Sequence, residues 1–180
     1  AIQALAEIRR DQDVWDEVIQ LETWEAEYTD DATARAEAYY RAAHTTLDHI
    51  GDVEAGIVLF EKAVEAVSEH EAAIRALADL YYMNQQWERS EQHLEFLVDH
   101  LSPETQGDEL CRFYYRLAYI SEKLGDEALA LERYLASHAI DPQYLHTLEG
   151  LAGALIGAEL EMIGLRYIFL ICLISPIRVV

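Results

Sequence analysis

Apolar residues recur along this chain at the three- and four-residue intervals of an amphipathic helix, not in the alternation of a strand. One clear run sets Leu129, Tyr134 and Ile140 around a small Ala130. Such spacing places apolar side chains on one face of a helix. Ala, Glu and Leu are abundant and favour helices, while three Pro and eight Gly leave little turn chemistry for a β protein. The pattern predicts an all-α chain.

The predicted helices repeat with a period of 34 residues. Gly51 and Gln85 hold equivalent turn positions, and Gly125 holds the next one after a six-residue insertion of polar sequence. Four small residues share one position, where the two helices of a pair must approach closely: Gly56, Ser90, Ala130 and Gly164. This register predicts repeats at 37–70, 71–104 and 111–144, followed by a degenerate fourth repeat with an apolar C-terminal helix at 145–180.

Residues 1–36 fit the register less well and are interpreted as a divergent N-terminal helix pair. We expect the first helix at Ala1–Arg9 and the second at Val14–Tyr28. One apolar stripe of the second helix is expected to contain Val14, Val18, Leu21 and Trp24. An Asp of the following Thr29–Asp31 spacer is expected to cap the next helix.

The run GDEALALERYLASHAIDP, residues 125–142, resembles the second helix and closing turn of a tetratricopeptide repeat. The resemblance covers residues 37–144 closely and 145–178 loosely. Departures from the family pattern are His44, Leu47, Gln85 and Ser137. The resemblance implies a right-handed α-solenoid of antiparallel helix pairs with about ten helices. It also implies a protein-binding scaffold in which the first helix of each pair lines a concave groove.

The charge balance narrows the classes of partner. The chain has 34 acidic and 13 basic residues and a formal net charge of −21. Such a surface repels phosphate backbones and anionic membrane faces, so we expect no nucleic-acid partner and no membrane association. Cys111 and Cys172 are expected to be buried free thiols, which suits the cytoplasm. The apolar run Tyr167–Ile177 is shorter than a membrane span.

The sequence contains no recognisable catalytic or cofactor motif, so we expect a protein that is not an enzyme and needs no cofactor. The segment that begins His70-Glu71 lacks the second histidine of a zinc-protease motif. His44 and Asp48 lie one helical turn apart, but we interpret them as a polar cluster and predict no metal site.

Basic and aromatic residues concentrate on the first helix of each predicted pair, whereas acidic residues crowd the second. This distribution predicts a peptide-binding groove lined by Arg41, Arg75, Tyr82, Arg112, Tyr115, Arg116 and Tyr119. Met83 lies among them. Arginine forks suit an acidic segment or a C-terminal carboxylate of a protein partner. Alternatively, these arginines pair with acidic residues on neighbouring turns.

Three roles remain open from the sequence. The first is a scaffold that binds a peptide or helical segment of a partner. The second is a regulatory or targeting region of a longer polypeptide. The third is a self-assembling array, through a homodimer or further repeats at residues 160–180, where Phe169, Leu170 and Leu173 are predicted to form a second apolar face.

Overall fold

The computed structural model describes residues 2–157, apart from the side chains of residues 103–105. This part of the chain contains nine helices and no strand, which confirms the all-α prediction. The tenth helix expected from the sequence would fall on residues 158–180, which lie outside the described residues. The helices are α1 (Ile2–Asp11), α2 (Trp15–Tyr28), α3 (Ala32–Thr45), α4 (Val53–Ala66), α5 (Glu71–Met83), α6 (Trp87–His100), α7 (Pro103–Leu124), α8 (Glu127–Ile140) and α9 (residues 145–157).

The chain divides into two compact units, one that ends at Asp99 and one that begins at His100. In the first unit, the core forms where α3, α4 and α5 meet. Alanines such as Ala42 and Ala43 let α3 approach its neighbours closely, and Phe60 and Tyr81 fill the space between the helices. At Gly56 of α4, an added Cβ would lie 2.7 Å from a methyl carbon of Leu47, in the turn Thr46–Ile50 that follows α3, so the two segments approach closely there as the small-residue position predicts.

The N-terminal pair departs from its predicted stripe at one position. Val18 and Leu21 are buried, but the Trp24 side chain is 43% exposed. Glu22 and Ala26 take the inward face of α2 instead. Successive residues of a helix are about 100° apart, so a step of three residues does not return to the same face. The two three-residue steps from Val18 to Trp24 therefore carry Trp24 away from the core.

Left-handed residues end the helices where the repeat register predicts. Gly51 and Gly125 have φ values of 77° and 84°, and Gln85 adopts 57° without being glycine. After Gln85 and Gly125 the chain closes in the same way, with bonds from Gln86 N to Tyr81 O and from Asp126 N to Ser121 O, each 2.9 Å.

The turn after α3 closes differently. Residues Thr46–Ile50 form a π-helical turn, and Gly51 N donates to Thr46 O at 2.9 Å. A π-helical turn holds one more residue than an α-helical turn, so it widens the end of the helix. This widened turn faces α2 and α4 of the same unit.

Capping side chains start four of the helices, α3, α4, α5 and α8. Asp31 caps α3, as the sequence predicts for an Asp of that spacer, and Asp126 caps α8 by accepting from Leu129 N at 3.0 Å. Asp52 caps α4. His70 caps α5 through Nδ1, which accepts from Ala73 N at 3.1 Å. Histidine is not among the usual capping residues, so the sequence did not predict this last cap.

The six-residue insertion before the third repeat is helical. It extends α7 to 22 residues, and Pro103 occupies the first turn, where its missing N–H costs nothing. Gln106 has non-helical dihedrals of −131° and 28°, so α7 is kinked at that residue.

The second unit has a small core in which Tyr134 packs against Ala118 and Ala130. A buried polar chain joins three of its helices. Ser137 of α8 donates to Cys111 O at 2.9 Å and lies 2.6 Å from the Thr147 hydroxyl of α9. Ser137 thus replaces the family's alanine with a hydroxyl whose bonds are satisfied inside the protein.

Candidate binding surface

The second unit presents one stripe of basic and aromatic side chains along α7. Five residues share one side of the helix because they lie at positions i, i+3, i+4, i+7 and i+11: Arg112, Tyr115, Arg116, Tyr119 and Lys123. Arg112 is exposed, and Tyr115, Arg116 and Tyr119 are half-buried. The ammonium of Lys123 lies 4.7 Å from the centre of the Tyr119 ring, within cation–π range. We call these five residues the α7 stripe.

Two residues at and near the start of α9 lie beside the α7 stripe. The Tyr115 ring lies 5.9 Å from that of Tyr144 and 5.5 Å from that of His146, between ring centres. His146 is exposed, and its Nδ1 lies 3.7 Å from a carboxylate oxygen of Glu149. The sequence analysis missed Tyr144 and His146, because only the packing of α9 beside α7 brings them to Tyr115.

The electrostatics of this aromatic cluster reflect both burial and charge. Burial raises the pKa of Tyr144 above its ordinary value, and the positive charges of Arg112 and Arg116 act in the opposite direction. Burial, followed by the neighbouring phenols of Tyr144 and Tyr119, raises the pKa of Tyr115. The positive charges of Arg112 and Arg116 are therefore close enough to the aromatic cluster to influence the phenol of Tyr144.

In the first unit, Arg41 takes part in an ionic cluster around one buried carboxylate, that of Glu22. Its Nη2 lies 2.8 Å from a carboxylate oxygen of Glu25, and its Nε lies 3.7 Å from Glu22. Glu22 is only 2% exposed, and it also accepts from Arg10 at 3.0 Å and from the Thr45 hydroxyl at 3.1 Å. Burial raises the pKa of Glu22, while Thr45 and the two arginines oppose the shift.

The other predicted residues of the first unit also have close neighbours. Arg75 Nη2 lies 2.5 Å from a carboxylate oxygen of Glu71, one turn earlier on α5. The Tyr82 ring meets Trp87 edge to face at 5.7 Å between centres. Met83 is 76% exposed. Arg41 and Arg75 are therefore both paired with acidic residues. Arg75 pairs with a neighbouring turn of its own helix, as in the alternative interpretation, whereas Arg41 pairs with α2.

His44, which the sequence analysis considered as a metal ligand, and the nearby His49 take part in aromatic packing. His44 meets Tyr40 and Phe60 edge to face at 4.6 and 5.2 Å, and His49 stacks on Trp15 at 3.4 Å. Within residues 2–157, no group of three His, Cys, Asp or Glu side chains is placed to hold a metal ion. No helix of the same residues has the length and apolar character needed to cross a membrane.

Comparison with known proteins gives matches among solved structures. No protein-family model matches the sequence, and neither does a curated protein. A crystal structure of MamA superposes with a TM-score of 0.64 at 17% identity, over 93% of this chain and 86% of that one. A MamA fragment from Desulfovibrio magneticus RS-1 gives a TM-score of 0.61 at 15% identity, over 88% and 84% of the two chains.

A third solved structure carries repeats of the predicted type. It is a putative kinesin light chain from Podosopora anserina, described as having nearly identical TPR-like repeats. Its TM-score is 0.58 at 19% identity, over 85% of this chain and 83% of that one. At such identities the likeness establishes the fold. This chain has an all-α, tetratricopeptide-like fold, as the repeat register predicts.

Proposed function

We propose that this protein is a protein-interaction scaffold, and that the α7 stripe binds an acidic segment of a partner. The observation that carries the proposal is the α7 stripe itself, in which Arg112 and Arg116 share one side of α7 with Tyr115, whose ring lies 5.9 Å from that of Tyr144. Arginine and tyrosine are the residue types that most often dominate the energy of a protein interface. In a chain of net charge −21, a basic and aromatic surface is selective for acidic ligands.

The seven predicted groove residues support this proposal unequally. Arg112, Tyr115, Arg116 and Tyr119 belong to the α7 stripe, and Arg112 is exposed to solvent. Arg41, Arg75 and Tyr82 lie in the first unit, where acidic residues already neutralise both arginines. A ligand carboxylate would have to compete with those acids. We therefore assign the primary contact to Arg112, which is exposed and lies in the second unit.

The test measures binding of a fluorescein-labelled peptide rich in Glu that ends in a free carboxylate, by fluorescence anisotropy at several salt concentrations. We expect Arg112→Glu to weaken binding by at least about tenfold, equivalent to roughly 1.4 kcal/mol. Affinity for the wild-type protein should also fall as salt rises, because exposed charges are screened. An amidated form of the peptide shows whether the terminal carboxylate contributes.

Lys62→Glu provides the matched control. It changes the net charge of the protein by the same amount, but Lys62 lies on α4 of the first unit, over the ring of Tyr39. If Lys62→Glu weakens binding as much as Arg112→Glu does, overall charge controls the affinity and the assignment to the α7 stripe is wrong. Far-UV circular dichroism of both variants verifies that each remains helical.

A further inference from the structure

The first unit has an open groove with an apolar floor and an acidic rim. It has a volume of about 430 Å³ and lies between α2, the π-helical turn and α4. Ile19 and Leu59 form part of its floor. Ile50 and Val58 line it as well, and their side chains are 47% and 50% exposed. We call this site the α2–α4 groove.

The rim carries negative charge. Asp16 and Asp52 are both exposed lining residues, although Asp52 also caps α4 by accepting from Ala55 N at 2.9 Å. Helix α2 contains no Lys or Arg, and the single basic residue of α4, Lys62, lies over the Tyr39 ring. The lining itself contains no basic residue, so a ligand that carries positive charge would complement Asp16 and Asp52.

The π-helical turn shapes this groove. Thr46 is buried at its start, where its hydroxyl donates to Ala42 O at 2.7 Å, and Trp15 stacks on His49 near its end. These contacts fix the turn at both ends, so the adjacent Ile50 is held at the groove with nearly half of its side chain in water. π-helical turns occur often at functional sites.

The walls of the groove limit the kind of ligand that fits. They are side chains of two helices, whose backbone N–H and C=O groups are bonded within the helices, so an extended strand has no edge to pair with. The lining contains no aromatic residue, which disfavours the proline-rich segments that dock on aromatic grooves. An amphipathic helix that places apolar side chains between two helices is the remaining common mode.

We infer that the α2–α4 groove binds an amphipathic helix of a partner protein, whose apolar side chains are flanked by Lys or Arg. This surface is distinct from the α7 stripe and has the opposite charge preference. The apolar side chains of the partner would cover Ile50 and Val58, and its basic side chains would pair with Asp16 and Asp52. The scaffold would thus hold two partners of opposite charge.

The probe is a synthetic helical peptide of Leu, Lys and Ala, with Leu at i, i+4 and i+7 and Lys beside them, and a fluorophore for anisotropy. A scrambled peptide of the same composition measures general attraction to an acidic protein. We expect the amphipathic peptide to bind wild-type protein at least tenfold more tightly than the scrambled one. Asp16→Asn should reduce both this affinity and its salt dependence.

Val58→Asp separates the groove from general charge attraction. This substitution makes the protein more acidic, so non-specific binding of a basic peptide would be unchanged or stronger. Docking in the groove would instead be weakened about tenfold or more, because a carboxylate would replace an apolar contact. Met83→Asp is the matched control, since Met83 is an exposed apolar residue of the same unit and does not line the groove.

Three results would overturn the inference. The first is an equal effect of Val58→Asp and Met83→Asp on peptide affinity, and the second is equal binding of the two peptides to the wild-type protein. The third is an unchanged peptide affinity of Val58→Asp when circular dichroism shows that both variants remain helical. Sedimentation velocity tests another occupant. If the wild-type protein self-associates and Val58→Asp makes it monomeric, a second copy of the chain covers the groove, and the partner helix is wrong.

Discussion

Two glycines of α9 provide a direct measure of packing in the second unit. A Cβ built at Gly150 would lie 2.5 Å from Cζ and 2.9 Å from the hydroxyl oxygen of Tyr134. Tyr134 is 1% exposed and packs against Ala118 and Ala130, so its ring has no free space to move into. At Gly153, three residues further on, a Cβ would meet nothing within 4 Å.

Alanine at the two positions should therefore have different effects. Gly153→Ala should stabilise the second unit by about 0.8–1.0 kcal/mol, which is the difference in helix propensity between the two residues. Gly150→Ala gains the same propensity but overpacks the core against Tyr134, at a cost of roughly 1–3 kcal/mol. We expect Gly150→Ala to be less stable than Gly153→Ala by that cost.

The assay is urea unfolding followed by far-UV circular dichroism. All three tryptophans, Trp15, Trp24 and Trp87, precede His100, so tryptophan fluorescence reports the first unit alone. Comparison of the far-UV transition with the tryptophan transition therefore isolates the unfolding of the unit that contains α9. Equal midpoints for the two variants would refute the packing of α9 on Tyr134. So would a Gly150→Ala midpoint above that of Gly153→Ala.

Two other predictions concern the first unit. Gln85→Gly should raise its stability by about 0.5–1 kcal/mol. A non-glycine residue with φ of 57° costs roughly 1–2 kcal/mol, and the greater freedom of glycine in the unfolded chain offsets about 0.4–1 kcal/mol of the gain. A lower urea midpoint by tryptophan fluorescence would contradict this prediction. Burial, followed by the hydrogen bond to Glu61 and the charge of Glu61, raises the pKa of Tyr81 to about 12. Between pH 10 and pH 12 the phenol therefore ionises in the unfolded chain but not in the folded one, so the stability of the first unit should fall as the pH rises. Tyr81→Phe should reduce the loss of stability between pH 9 and pH 11, and an unchanged slope would refute the assignment.

Much of the fold could be predicted because its determinants are local in sequence. A turn residue such as Gly125, a capping residue such as Asp126 and a small residue such as Ala130 each report on a helix end or a helix contact, and each recurs at a fixed interval. The boundaries of the repeats stay a prediction. The predictions for residues 160–180, including the apolar face at Phe169, concern residues outside the described ones.

The details of the site depend on contacts that the sequence does not reveal. Glu22 lies on the inward face of α2, where a pattern of apolar positions places no carboxylate, and its partners Arg10 and Arg41 come from two other helices. Similarly, Tyr144 contacts Tyr115 of the α7 stripe only because of the position of α9 beside α7. Such pairings depend on how helices pack and rotate, which a residue pattern along one helix does not determine.

The chain of Cys111, Ser137 and Thr147 gives the protein a built-in reporter of its own opening. The Cys111 thiol is 1% exposed, and burial raises its pKa, so an alkylating reagent can reach a reactive thiolate only after α7 and α8 separate. In a Cys172→Ser background, the labelling rate would measure how often these helices part under native conditions. A ligand that bridges the α7 stripe and α9 should slow that rate in proportion to its occupancy, without any change in the average structure.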